Sequence, residues 1–218
     1  KTINLGGVMF INSRAFENCA LSGILDLTEK GNDVLVAIGD YAFKGCKFTS
    51  IKLPKTAQSI GIGAFYQNYQ LANVEFQAPK VKIGTYAFAY CKKLLSINVN
   101  ASVISARAFY NCEELKKAEL GRDVAIIGEY AFAGTAIEKF DLDFRNTTFT
   151  TQDGKILYRG TELALVAPKY SAVSLETATA TSIATGAFAG NKVITSVVAP
   201  NVTLVGDYAF AGCTRLDT

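Results

Sequence analysis

The dipeptide Ala-Phe occurs eight times and holds eight of the fourteen phenylalanines: Phe16, Phe43, Phe65, Phe88, Phe109, Phe132, Phe188 and Phe210. Their spacings are 27, 22, 23, 21, 23, 56 and 22 residues. A fixed period in this range marks a repeat architecture, because one unit of 22 to 23 residues cannot bury its own apolar face and must stack on its neighbours. This period excludes most globular topologies before any element is assigned.

Aligned on the Phe, the position five residues earlier is β-branched in all eight copies: Ile11, Ile38, Ile60, Ile83, Ile104, Ile127, Ile183 and Val205. Such a column predicts a short strand. In five copies Gly follows it (Gly39, Gly61, Gly84, Gly128, Gly206), which predicts either a positive φ or a close approach of two backbones. Three residues after the Phe stands Cys19, Cys46, Asn68, Cys91, Cys112, Thr135, Asn191 or Cys213. Beyond that column a second pattern, such as Leu94-x-x-Ile97-x-Val99 or Leu71-x-x-Val74-x-Phe76, ends in period 2 and predicts a half-buried strand.

These columns resemble the BspA-like leucine-rich repeats of bacterial and protist surface proteins, whose unit reads roughly I-G-x-x-A-F-x-x-C-x-x-L-x-x-I-x-L. The resemblance covers nearly the whole chain. It implies an α/β repeat solenoid, a right-handed superhelix with a concave parallel sheet, short convex Ile-Gly strands, and a helical or 3₁₀ turn carrying Ala-Phe-x-x-Cys. About nine coils stack in one domain over residues 1–218, each Phe lying on the next. The commoner leucine-rich consensus places Asn or Cys where this chain has Thr56, Pro79, Ser102 and Asp123, so no asparagine ladder is expected there.

The interval of 56 residues between Phe132 and Phe188 exceeds two coils. The surplus is local: residues 147–151 alternate, Asp153-Gly154 signals a hairpin, 155–158 is strand-like, Arg159-Gly160 turns, and 163–167 runs apolar up to Pro168. A hairpin insertion around 147–168, within a variant coil 143–172, is therefore expected to replace one Ala-Phe turn, with Val173 and Leu175 resuming the concave strand. At the N-terminus a strand is expected over residues 3–5. Neither end carries a polar cap, which implies a piece of a longer protein.

Composition narrows the chemistry. The chain has no histidine, so Ser-His-Asp and Cys-His nucleophiles and His-ligated zinc are excluded. With 22 Lys plus Arg against 19 Asp plus Glu, the net charge of +3 is too low for a nucleic-acid partner. No apolar run is long enough to insert this segment into a membrane. The five cysteines share one repeat column and match no metal-ligand spacing, so they are expected to be buried, reduced packing residues with no metal and no cofactor. Gly61-Ile62-Gly63 is the bend of its coil and not a phosphate loop. Three acceptor patterns for N-glycosylation begin at Asn100, Asn146 and Asn201.

Alternation on the concave strands directs one row outward (Asp26, Lys52, Glu75, Asn98, Glu119, Asp141, Ser174, Val198), beside a second (Ser50, Asn73, Ser96, Lys117, Lys139, Ser196). Like charges are expected on adjacent strands, Lys117 beside Lys139 and Glu119 beside Asp141. This cluster, flanked by Glu75 and Asn98, is the first candidate ligand site. An aromatic edge of Tyr66, Tyr69, Tyr90 and Tyr110 is the second. Glu119 and Asp141 lie on an open face without the enclosed pocket that tunes a catalytic acid, so no enzyme is expected. The resemblance implies a monomeric, adhesin-like solenoid at a cell surface or secreted, binding a protein or glycan. The alternative is a spacer that holds another module away from the cell.

Overall fold

The computed structural model describes residues 5, 7–28, 34–174 and 180–217. The β-branched column forms two-residue strands because only a short extended stretch precedes each turn. Six of them, Phe10–Ile11, Ala37–Ile38, Ser59–Ile60, Lys82–Ile83, Val103–Ile104 and Ile126–Ile127, pair in parallel and in chain order as a minor sheet. The second pattern gives a six-stranded parallel major sheet, Ser22–Asp26, Lys47–Leu53, Asn73–Phe76, Ser96–Val99, Lys117–Leu120 and Phe140–Leu142. Register follows the repeat: Ile51 stands against Val74, and Ala118 against both Ile97 and Phe140. The inward residues Ile51, Ile97, Val99 and Leu120 are at most 2% exposed. The strand expected over residues 3–5 lies largely outside the described residues.

The glycine after the β-branched residue is there for close approach. Gly84 has no positive φ, yet a Cβ on it would lie 2.7 Å from the carbonyl carbon of Gly61, one coil away. A side chain at Gly84 would push these two coils apart, although the column takes Asn12, Ser105 and Ala184 in its other three copies.

The Ala-Phe segment departs from expectation. Among the described residues there is no helix, so the helical or 3₁₀ turn does not form and the solenoid is all-β. In all eight copies the residues two before and two after the Phe are left-handed, with φ between 54° and 77°. A right-handed helix cannot run through two such residues four apart. The backbone instead alternates its partners. Ala87, Ala89 and Cys91 donate to the carbonyls three residues back, whereas Tyr86, Phe88 and Tyr90 donate to Ala106, Ala108 and Tyr110 of the next coil. Half the hydrogen bonds close the turn and half join it to its neighbour, which satisfies a segment that is otherwise buried.

Inside these turns the phenylalanines form one ladder. Phe16, Phe43, Phe65, Phe88, Phe109 and Phe132 stack with centroids 5.1–5.5 Å apart and planes within 11° of parallel. Phe48, Phe76 and Phe140 of the major sheet meet it edge-on at 5.4–5.8 Å. Burying one such ring contributes about 4–6 kcal/mol at ~25 cal/mol per Å² before conformational entropy is subtracted. Each coil also hooks the previous one through the column three residues after the Phe. Cys46, Cys91, Cys112 and Cys213 donate S–H to the carbonyls of Phe16, Phe65, Phe88 and Phe188 at 3.2–3.3 Å. Asn68 Nδ2 does the same to Phe43 at 2.8 Å.

The long interval is an antiparallel insertion, Thr150–Gln152, Ile156–Arg159 and Glu162–Val166, with Asp153 and Gly154 both left-handed at its first turn. Its third strand pairs in parallel with Ser182–Ile183, and Val166 donates to Ala187 the bond that a Phe donates in other coils. The insertion thus takes the place of one minor strand and its Ala-Phe turn, as its sequence predicts. Ala172–Ser174 then pairs with Ser196–Val198, so Val173 resumes the strand pattern, while Leu175 lies outside the described residues. The consequence is a break: the ladder restarts with Phe188 on Phe210 at 4.6 Å, and two apolar clusters form, both packed by Tyr170.

All five thiols are free, but only Cys46, Cys91 and Cys112 are buried, whereas Cys19 and Cys213, in the first and last Ala-Phe coils, are half-exposed. Burial pushes the Cys46 thiol up to about 11 and raises Cys91 and Cys112 further. We expect Cys19 and Cys213 to be the first thiols titrated by a disulfide reagent at pH 8, and Cys91 and Cys112 to react only on unfolding. Because the unfolded thiols ionise first, near pH 8.5, stability should be retained below that pH and lost as pH rises from there through about 11. Replacing Cys46, Cys91 and Cys112 with Ala should flatten that loss. Phe88→Ala is expected to cost about 3–5 kcal/mol and Phe210→Ala less, since Phe88 has a ring on both sides and Phe210 only one. Urea midpoints check this, and equal shifts at unchanged m-value would refute stacking as the source.

Candidate functional site

On the major sheet the outward row is a chain of side-chain contacts. Lys117 pairs with Glu119 on its own strand, and Asn98 Nδ2 donates to the other Glu119 oxygen at 2.5 Å. Glu75 accepts from Gln77 at 2.8 Å, and Lys52 pairs with Asp26 at 3.0 Å. Glu119 stands directly against Asp141 in the register, as expected. The expected Lys117–Lys139 juxtaposition is not part of the ladder: Lys139 precedes the strand Phe140–Leu142, and Phe140 N instead donates to Gly154 of the insertion at 2.6 Å. Opposite charges meet along one strand at Lys117–Glu119 and directly across two strands at Lys52–Asp26. Extended backbone puts residues i and i+2 on the same face, within reach of a lysine's long stem. Ser50, Asn73, Glu75, Ser96, Asn98, Lys117 and Glu119 line one shallow depression of about 440 Å³.

Sequence reasoning missed the residue beside this row. Phe144 is 92% exposed, whereas the eight Ala-Phe rings are buried or half-buried. With Asp143, Glu119, Asp141 and Asn98 it lines a second depression of about 250 Å³. The turn that presents it is built, not loose. Arg145 donates to both Asp143 oxygens at 3.0 and 2.7 Å, its backbone N–H adds a third bond at 2.9 Å, and its guanidinium lies 5.5 Å from the Phe144 ring centre. Asn146 anchors the turn by donating to Gly121 and Val124 of the preceding coil and accepting from Thr148 and Phe149 N–H. Its acceptor pattern for glycosylation thus doubles as a structural bracket, as does Asn100, which exchanges two bonds with Asp123. The available signal was Phe144 standing outside every repeat column.

A separate surface follows the Ala-Phe turns. The left-handed columns carry Arg14, Tyr41, Tyr86, Tyr90 and Arg107, and the position just after the Phe adds Lys44, Tyr66 and Tyr110. Tyr66, Tyr90 and Tyr110 meet edge to face at 5.4 and 5.6 Å, and Tyr86 meets Tyr66 at 6.2 Å. Of the predicted aromatic edge, Tyr69 stands apart, 45% exposed and outside this groove. Tyr41 and Tyr86, which sequence reasoning passed over, line it instead, with Arg14, Lys44 and Arg107. The column two residues before the Phe was the signal: it reads Arg14, Tyr41, Gly63, Tyr86, Arg107, Tyr130. Gly63 makes room for Tyr41, whose Cδ1 would lie 2.7 Å from a Cβ there.

Six copies of the family model described as a BspA type leucine-rich repeat region match residues 36–153 and 169–218. The chain belongs to that family. Among solved structures, the pneumococcal vaccine antigen PcpA superposes with a TM-score of 0.70 and 22% identity, over 97% of this chain and 48% of that one. A leucine-rich cell surface protein from Faecalibacterium prausnitzii gives 0.63 and 19%, over 96% and 64%. A leucine-rich repeat protein from Bacteroides ovatus gives 0.60 and 22%, over 99% and 64%. These likenesses show the fold, and this chain spans about half to two thirds of those proteins' lengths. No curated protein matches it in sequence. The BspA-type repeat accounts for the buried columns; it leaves the sheet face, Phe144 and the tyrosine groove unassigned.

Among the described residues no group of three His, Cys, Asp or Glu is placed to hold a metal, and no helix is long and apolar enough to cross a membrane. The Arg145 side chain and then its backbone N–H hold the Asp143 carboxyl down at about 2. The bonds to Asp143 should therefore be complete above its ordinary value near 3.8 and lost as pH falls through about 2. A carboxyl-carbon NMR titration should place the Asp143 midpoint at about 2, well below the ordinary aspartate value, and Arg145→Ala should return it toward that value.

Proposed function

We propose that this chain is a non-catalytic recognition module, displayed at a cell surface or secreted, that holds a protein or glycan ligand against the major-sheet face. The observation that carries the reading is Phe144: a large apolar ring held almost wholly in solvent by a braced turn, beside an acidic row, contributes nothing to folding and suits an anchor. Aromatic anchors flanked by charges supply most of the energy of a typical interface, while the charged rim sets specificity. Glu119, Asp141 and Asp143 would favour a ligand with basic groups around an apolar or planar feature. The surface setting is supported by the description of the F. prausnitzii relative as a cell surface protein. With no histidine in the chain and its carboxylates on an open face, this reading assigns the face no catalysis.

A spacer is the second reading, and one observation favours it: Lys117, Glu119, Asn98, Lys52 and Asp26 satisfy one another without a ligand. An array of extracellular-matrix proteins and glycans, probed with the purified chain, separates the two. A specific hit should weaken at least tenfold on Phe144→Ala and on Glu119→Lys with Asp141→Lys, at unchanged urea midpoint, since exposed charges contribute little to stability. Silence across the array supports the spacer. A hit indifferent to these changes but lost on Tyr90→Ala with Tyr110→Ala would move the site to the turns.

A further inference from the structure

Five tyrosines, Tyr41, Tyr66, Tyr86, Tyr90 and Tyr110, share a groove of about 530 Å³ on the Ala-Phe turns with three cations, Arg14, Lys44 and Arg107. We propose that this groove binds an acidic polysaccharide, a chain of pyranose units bearing carboxylate or sulfate, independently of the major-sheet face.

The first argument is available hydrogen-bonding capacity. Among the described residues, none of these five phenol hydroxyls has a hydrogen-bond partner in the protein, although all five side chains are half-buried. Burial raises the Tyr66 phenol further above neutrality, so it remains a neutral hydroxyl able both to donate and to accept. None of these hydroxyls is buried, so each stands open to solvent in the groove and can exchange water for a ligand hydroxyl or anion.

The second argument is charge. No Asp or Glu lines the groove. Glu17 at its margin takes Lys44 at 2.9 Å and Arg14 at 3.1 Å, so three cations face one carboxylate. Arg107 has no carboxylate partner among the described residues; its guanidinium sits between the rings of Tyr86 and Tyr130, 5.7 and 4.7 Å from their centres. Held by two rings, it points a fixed, weakly hydrated fork at a carboxylate or sulfate. Arg14 and Arg107 belong to the first and fifth coils of a stack that rises 5.1–5.5 Å per coil, so a ligand reaching both must be an extended chain with repeated anions.

The ring packing selects among acidic polymers. Single-stranded nucleic acid binds such grooves by stacking bases on open aromatic faces. Here the faces are in use: Arg107 covers Tyr86, Arg14 and Lys44 approach Tyr41 at 5.3 and 5.7 Å, Tyr41 lies over Gly63, and Tyr66, Tyr90 and Tyr110 pack edge to face. What the groove offers a ligand is hydroxyls and cationic N–H groups. An acidic peptide supplies carboxylates but few partners for the hydroxyls, whereas a sugar chain brings hydroxyls on every unit.

The test is isothermal titration of the whole chain with two probes, a polygalacturonate oligosaccharide for carboxylate and a heparin oligosaccharide for sulfate. Dextran, polyglutamate and an oligothymidylate serve as competitors. We expect at least one acidic oligosaccharide to bind, the pair showing which anion is read, with affinity falling as salt rises. Arg107→Gln should weaken binding at least tenfold. Tyr90→Phe with Tyr110→Phe, which keeps both rings, should also weaken it severalfold, while Phe144→Ala should leave it unchanged. No binding of either probe overturns the proposal, as does binding indifferent to the Tyr→Phe pair. Equal or tighter binding of polyglutamate assigns the groove to acidic peptides, of oligothymidylate to single strands, and of dextran to neutral glycans; each refutes it. Should Arg107→Gln lower the urea midpoint, the Tyr→Phe pair decides alone.

Discussion

Face-to-face stacking of one phenylalanine per coil is the contact on which the rest of the molecule depends. The rings repeat every 5.1–5.5 Å, close to the spacing of hydrogen-bonded strands, so the ladder and the two parallel sheets can share one rise without strain in either. Each ring fixes the height at which the next turn must sit. The Cys and Asn hooks then lock the turn's rotation, because their donors reach the Phe carbonyl of the previous coil only in this register. Nothing else in a unit of this length buries enough apolar surface to hold it in place.

The turn around that ring explains why the surface carries what it does. Left-handed residues on both sides of the Phe reverse the side-chain direction twice, so Ala and Phe point inward while their neighbours project from the rim. Non-glycine residues in that region carry a conformational cost, which the inter-coil hydrogen bonds of the same residues offset: Tyr86 and Tyr90 both donate to the next coil. One backbone device thus builds the core and displays the tyrosines and arginines. The insertion acts in the opposite sense. By placing Val166 where a Phe would donate, it keeps the backbone pairing and gives up the ring stack, and the core divides there.

The molecule therefore presents two surfaces of different chemistry. The major-sheet face is acidic, internally paired and edged by Phe144. The turn face is cationic and phenolic, with tyrosine hydroxyls open to solvent. The two surfaces are lined by different columns of the repeat.

The sequence by itself determined everything that repeats. Period, strand columns, the Ile-Gly close approach, the inward cysteines and the hairpin at Asp153-Gly154 were legible because stacking forces the same residue type at the same place in every coil. Gly84, for example, could be read as a close approach because any Cβ there meets Gly61. The pairing of Glu119 with Asp141 was also legible, since register follows from coil length. What only tertiary structure decided is what the repeat does not constrain. Ala-Phe-x-x-Cys reads locally as a helical turn, and only the hydrogen bonds to the next coil make it left-handed at two positions. Lys117 pairs with Glu119 on its own strand, a side-chain choice that strand register does not dictate. For Phe144 and Arg107 the sequence showed only the column each does or does not occupy; their exposure and ring contacts depend on which coils are neighbours, and no local pattern encodes that.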